Sequence, residues 1–208
     1  MLLNKIHRCD AVIENITEKV TVKQDLYQKM DEICKPDTCF IANTSCISIT
    51  AIAAFTSRMD QVIGIHFMNP AALKSTVELI AGVHTNQDTI QKAERFLSEL
   101  GKSFVSVGDF PGFVSNRISH LFMNEAAFAV QDHLAEPAQI DKIFRECFGH
   151  KLGPLETADL IGLDVVADSL DILFESYHDS KYRCCPLLRK MVSAGMLGKK
   201  SGKGFYCY

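Results

Sequence analysis

His66 stands in an apolar run, Gly64-Ile65-His66-Phe67-Met68-Asn69-Pro70, that stops at an Asn-Pro pair. An imidazole can take and return a proton near neutrality. In such a run it is either a core residue whose ring has found hydrogen bonds or a general base. Glu78, within Val77-Glu78-Leu79-Ile80, bears on that choice, because a carboxylate in an apolar stretch needs a charged or hydrogen-bonding partner. Paired with His66, it would fix the ring tautomer and stabilise the imidazolium, which suits a base that takes a hydroxyl proton. The plain alternative is a carboxylate exposed on an edge strand. Ser45 closes the polar triplet Asn43-Thr44-Ser45 that follows an apolar segment. Asn116 opens a long helical pattern just after Pro111-Gly112. It is either a helix-start asparagine, with Arg117 beside it solvated or salt-bridged, or an amide that bonds a substrate oxygen.

The elements that must hold these residues alternate in the first half of the chain. Residues 10–14 read as a strand, 20–34 as an amphipathic helix, 39–42 as a strand, 47–55 as a short helix and 61–68 as a strand ended by Asn-Pro. A strand at 76–80, a helix from near Asn86 to Gly101 and a strand at 103–107 follow. Alternation of this kind predicts a parallel sheet covered by helices, with Ser45 and His66 at strand ends, where such sheets bind ligands. The texture then changes. Residues 114–131, 140–148, 158–177 and 186–194 carry helical patterns, so the fold class is α/β followed by an all-α part, with the boundary at 108/109.

With 208 residues and 47% hydrophobic content, the chain is long enough for a sizeable core. A net charge of -3 with scattered Lys and Arg gives no basic stripe, which argues against nucleic acid as a partner. The start of the chain is too short in apolar residues for a signal peptide and no run approaches a membrane span, so the expected location is cytoplasmic. Eight cysteines without a CxxC pair read as free thiols in a reducing compartment, and the dispersed histidines predict no metal site.

A dinucleotide-binding sheet normally opens with a strand, a GxGxxG turn and a helix whose N-terminus holds the pyrophosphate. No such opening precedes Asp10. The glycine-lysine cluster from Gly198 to Gly204 lacks the spacing and the flanking strand and helix of a phosphate loop.

Several stretches together resemble the 3-hydroxyacyl-CoA dehydrogenase family, in register over essentially the whole chain: Asn43-Thr-Ser-Cys46, His66-Phe-Met-Asn-Pro70, Val77-Glu-Leu-Ile80, Pro111-Gly-Phe-Val-Ser-Asn-Arg117, Gly153-Pro-Leu-Glu156, Asp159-Leu-Ile-Gly-Leu-Asp164 and Gly198-Lys-Lys-Ser-Gly-Lys-Gly-Phe-Tyr206. The resemblance implies a partial Rossmann-type domain over 1–108 and a helical, dimerising domain over 109–208. It implies NAD-dependent interconversion of a 3-hydroxyacyl thioester and its 3-oxoacyl form. Carried over by position, His66 is the catalytic base and Glu78 its carboxylate partner, while Ser45 and Asn116 bind the substrate oxygen. Glu18, Lys23, Ser45, Asn69 and Lys200 are the implied cofactor contacts, the last on a terminal loop that reaches toward the cofactor. The missing glycine turn points to a fragment, a shortened gene product or a chain completed by another polypeptide. Two alternatives to the CoA enzyme stay open: a non-catalytic dimerisation or binding module, and a dehydrogenase of hydroxyacyl groups on acyl carrier protein. Pro70-Ala-Ala-Leu-Lys74 departs from the family's commoner Pro-Val-Pro pattern.

Overall fold

A computed structural model describes residues 3–208. The chain divides into two compact units, the first running to Phe113 and the second from Val114 to Tyr208. The first unit extends beyond residue 108 because the segment after the last strand is anchored within it. The Asp109 carboxylate accepts from the Ile49 and Thr50 amides at 2.7 and 2.8 Å and from the Ser48 and Thr50 hydroxyls. Phe113 is buried in the same core.

The first unit is a five-stranded sheet in the order β1-β2-β3-β4-β5. Its elements are β1 (Ala11–Glu14), α1 (Val20–Ile33), β2 (Cys39–Ala42), α2 (Ile49–Ala53), β3 (Val62–His66), β4 (Thr76–Ala81), α3 (Gln87–Glu99) and β5 (Ser103–Val107). Strands β1, β2 and β3 are parallel, as crossovers through helices require. The expectation of a parallel sheet fails at β4, which runs antiparallel to β3, with β5 parallel to β4. No helix separates β3 from β4, so the chain returns directly in the opposite sense.

Every residue of β2 and β3 is buried, as befits inner strands covered on both faces. Successive side chains alternate between two cores. Phe40, Ala42, Val62 and Ile80 pack with Tyr27 and Met30 of α1 and with Ile49 and Ile52 of α2. Cys39, Ile41, Ile63, Ile65, Val77 and Leu79 pack with Ala93 and Leu97 of α3. The alternation places His66 and Glu78 on the α1/α2 side. Gly64 admits no Cβ there, since one would lie 2.5 Å from Ile49 Cδ1.

The second unit is helical: α4 (Ser115–Gln131), α5 (Pro137–Phe148), α6 (Pro154–Ile161), α7 (Leu163–Tyr177) and α8 (Pro186–Ser193). The pattern at 158–177, expected as one helix, is two. Gly162 at φ +109° ends α6 and redirects the chain into α7. Helix α6 also starts earlier than expected, with Pro154 in its first turn and the Leu155 and Glu156 amides donating to the Asp141 carboxylate at 2.9 and 2.8 Å. Met123, Ala127, Leu163, Val166, Leu170 and Leu188 form the heart of this unit's core.

Candidate active site

Antiparallel pairing of β3 with β4 sets His66 directly opposite Glu78. Residues so paired carry their side chains on the same face, close enough to touch. His66 Nδ1 lies 2.8 Å from Glu78 Oε2, and the two residues are only 5% and 4% exposed. Glu78 is therefore a buried partner of the imidazole on an inner strand, which excludes the edge-strand reading. An ionised carboxylate can only accept, so Nδ1 carries the ring proton and Nε2 presents a lone pair. Ser45 Oγ sits 3.2 Å from that Nε2. Ser45, His66 and Glu78 thus form one chain of polar groups with the ring at its centre.

Neighbouring groups hold the loops that carry this chain. Asn43 Oδ1 accepts from the Phe67 amide at 3.1 Å, tying the end of β2 to the end of β3, and Asn43 Nδ2 donates to Asn15 Oδ1 at 2.8 Å. Phe113 covers the imidazole, with ring centroids 5.9 Å apart. Sequence reasoning assigned no role to Asn43 or Phe113. The signals were an asparagine at a strand end, a common side-chain bridge to backbone, and an aromatic after Pro111-Gly112, where Gly112 at φ +79° turns the chain.

The proposed cofactor residues are scattered more widely. Glu18 is half-buried and accepts from Thr44 Oγ1 at 2.8 Å and from the Ser45 amide, so it adjoins the site. Asn69 is exposed just after β3. Lys23 does not join the cluster: it is fully buried in α1, with Nζ donating to both oxygens of Glu14 at 2.8 Å. Glu18, Ser45 and Asn69 thus lie at or beside the ends of β2 and β3, whereas Lys23 is not a free cation for a phosphate.

Asn116 and Lys200 belong to the second unit. Asn116 lies in the first turn of α4, where its carbonyl is 3.0 Å from the His120 ring nitrogen. Arg117 next to it is partly buried, with its guanidinium over the Tyr177 ring, 4.7 Å from the ring centre. Lys200 Nζ donates to Asp164 Oδ2 at 2.7 Å. Burial alone would raise the Asp164 carboxyl, but the Lys200 hydrogen bond and local backbone amides carry it below its ordinary value.

The glycine-lysine cluster around Lys200 is a clasp. The Asp159 carboxylate, fully buried, accepts from the Phe205 and Tyr206 amides at 3.0 Å each and from the Tyr208 hydroxyl at 3.1 Å. Gly198 and Gly204 lie so close to Asp159 that a Cβ on either would collide with it, and Gly198 also adopts φ +87°. Burial, with the Asp159 charge, pushes the Tyr208 hydroxyl up to about 12.

Comparison with known proteins places this geometry. Residues 2–110 match the family model for the 3-hydroxyacyl-CoA dehydrogenase NAD binding domain, and residues 112–208 match that for its C-terminal domain. A probable 3-hydroxybutyryl-CoA dehydrogenase of Bacillus subtilis is 45% identical over 206 residues, covering 99% of this chain and 72% of that protein. One from Deinococcus radiodurans is 46% identical over 200 residues, covering 96% and 72%. Among solved structures, (S)-3-hydroxybutyryl-CoA dehydrogenase PaaH1 from Ralstonia eutropha superposes with a TM-score of 0.93 at 40% identity, covering 99% of this chain and 73% of that one. FadB2 of Mycobacterium tuberculosis gives 0.96 at 36% identity, with the same coverage. Matched through both of its domain models, the chain belongs to the 3-hydroxyacyl-CoA dehydrogenase family.

Proposed function

We propose that this chain catalyses the NAD-linked interconversion of a 3-hydroxyacyl-CoA thioester and its 3-oxoacyl form, with His66 as the general base. The observation that carries the assignment is the Ser45–His66–Glu78 chain, with contacts of 3.2 and 2.8 Å around one imidazole. NAD supplies the hydride acceptor. His66 Nε2 takes the proton of the substrate hydroxyl, and Glu78 holds the Nδ1 proton and stabilises the charged ring. Ser45 holds the reacting oxygen beside Nε2; family resemblance alone proposes Asn116 as a further substrate contact. Burial of His66 and Glu78 strengthens these interactions by keeping water away. In the reverse direction the imidazolium returns the proton to the oxo group.

Glu18 and Asn69 are the residues of the first unit proposed beside the cofactor, with Lys200 of the second. Dimerisation through the helical unit is part of the same reading, supported by apolar side chains left exposed there, Ile118, Ile143 and Phe148 among them. So is a cytoplasmic location. Among the described residues no helix is long and apolar enough to cross a membrane.

The alternative is a binding module without turnover. An NADH-coupled assay with short 3-oxoacyl-CoA thioesters, beside NADH titration by fluorescence, separates the two. Turnover and saturable NADH binding are expected. Absence of both at millimolar cofactor would establish the module, and turnover of only carrier-protein thioesters would change the substrate class.

A further inference from the structure

We infer that Glu18 is a positioning residue that acts through Ser45, and that the buried Glu14–Lys23 pair is its anchor. The inference rests on the reading of His66 as the base.

Three observations combine. The Glu18 carboxylate accepts from the Thr44 hydroxyl at 3.0 and 2.8 Å and from the Ser45 amide. Thr44 Oγ1 in turn accepts from the Ile47 amide at 3.2 Å, so the turn after β2 is held from both sides. Ser45 Oγ then stands 3.2 Å from His66 Nε2. Glu18 reaches the imidazole through Ser45, and it fixes the backbone on which the Ser45 hydroxyl turns.

The loop that carries Glu18 is itself fastened at its start. Glu14, on the last residue of β1, accepts from the Ile16 amide at 2.6 Å and from Lys23 Nζ at 2.8 Å through each oxygen. Both side chains of that ion pair are fully shielded from water. A buried ion pair contributes little net stability, because desolvation offsets most of the attraction, but it is costly to break and therefore enforces one geometry. Here that geometry is the path of residues 15–19 from β1 to α1, which delivers Glu18 to the Ser45 amide.

A residue that merely touched the cofactor would govern cofactor affinity. A residue that also aims Ser45 governs the proton-transfer step, so its loss lowers kcat whatever it does to cofactor affinity. The test is Glu18→Gln, read by the Ser45 backbone amide and His66 ring signals in NMR and by kcat, the KM for NAD and the pH profile. In the folded variant the Ser45 amide and His66 ring signals are expected to move. Where the parent chain turns over, kcat should fall roughly tenfold, as for loss of one charge-assisted hydrogen bond, with the pH profile displaced. Unmoved Ser45 and His66 signals would overturn the inference whether or not the chain is active, as would a raised KM for NAD at unchanged kcat. If the parent shows no turnover while both signals move, the positioning role stands and the proposed activity fails. Should Glu18→Gln not fold, Thr44→Val removes a donor to the same carboxylate and is read by the same two signals, with the same outcomes.

Discussion

Glu78 in the first unit and Asp159 in the second are both carboxylates removed from water, and their partners differ. Glu78 faces an imidazole whose other nitrogen is left to a hydroxyl 3.2 Å away. Asp159 faces two backbone amides and a tyrosine hydroxyl pushed up to about 12. The groups that donate to Asp159 are two amides and a hydroxyl that holds its proton well above neutrality, so these bonds serve to hold the terminal loop. The partner of Glu78 is an imidazole, which can serve as proton donor or acceptor, so the same kind of bond can support proton transfer. Burial of a carboxylate is thus common to scaffold and site, and the partner decides which it is.

Breaking each side of this comparison should produce different losses. The largest effect is expected from His66→Gln, which should cost about 10³-fold in kcat, within the usual range for a general base, with little change in thermal midpoint. A loss of only a few-fold would remove His66 from the mechanism. Glu78→Gln keeps the size of the side chain but offers no charge to the imidazolium. About a 10²-fold drop in kcat is expected, steepest on the alkaline side, where a substrate proton must be accepted. Equal activity across the pH range would show that Glu78 is only packing.

Asp159→Ala is the counterpart on the scaffold side. It leaves the Phe205 and Tyr206 amides and the Tyr208 hydroxyl without their acceptor, at about 3 kcal/mol in a denaturant titration. Turnover per folded molecule should hold, and a loss of turnover without a loss of stability would reverse the two assignments.

A smaller effect concerns the thiols. Burial pushes Cys39 and Cys184 up to about 11, whereas Cys147 and Cys207 are exposed. For an acid whose folded pKa is raised, the stabilisation is complete below the unfolded value and is lost as pH climbs through the folded one. Stability should therefore decline toward pH 11, and a thiol reagent at pH 8 should modify Cys147 and Cys207 first, as peptide mapping would show. Rapid labelling of Cys39 would mean that the core between the sheet and α3 opens. The smallest effect is expected from Lys200→Ala, whose partly exposed pair with Asp164 should contribute no more than about 1 kcal/mol. Because the folded Asp164 carboxyl is lowered, that contribution is present above the ordinary aspartate range and fades as pH falls through it.

Much of the secondary structure was legible because it follows local rules. β2 and β5 coincide with the apolar runs that predicted them, and α3 starts where the Asn86 side chain accepts from the Thr89 amide. The split at Gly162 was missed because a hydrophobic pattern can continue across a change of helix axis while one glycine at positive φ turns the chain. The terminal glycines suggested a loop that reaches toward a phosphate-bearing cofactor. Their physical reason is contact with Asp159, which lies 39 residues before Gly198 and 45 before Gly204 and which no local pattern connects to them.

The sequence by itself determined the elements, because apolar periodicity, caps and breakers act over a few residues, and through its motifs it determined the family. It also named Ser45, His66 and Glu78 as candidates. Only the tertiary structure decided that these three meet, because the meeting depends on the direction of one strand. Run antiparallel to β3, β4 puts Glu78 opposite His66. Strand direction is set by how the chain returns after Asn69-Pro70 and by which faces can be buried together, and both are properties of the assembled sheet. The tertiary structure likewise decided that Lys23, a charge expected at the cofactor, lies in the interior against Glu14.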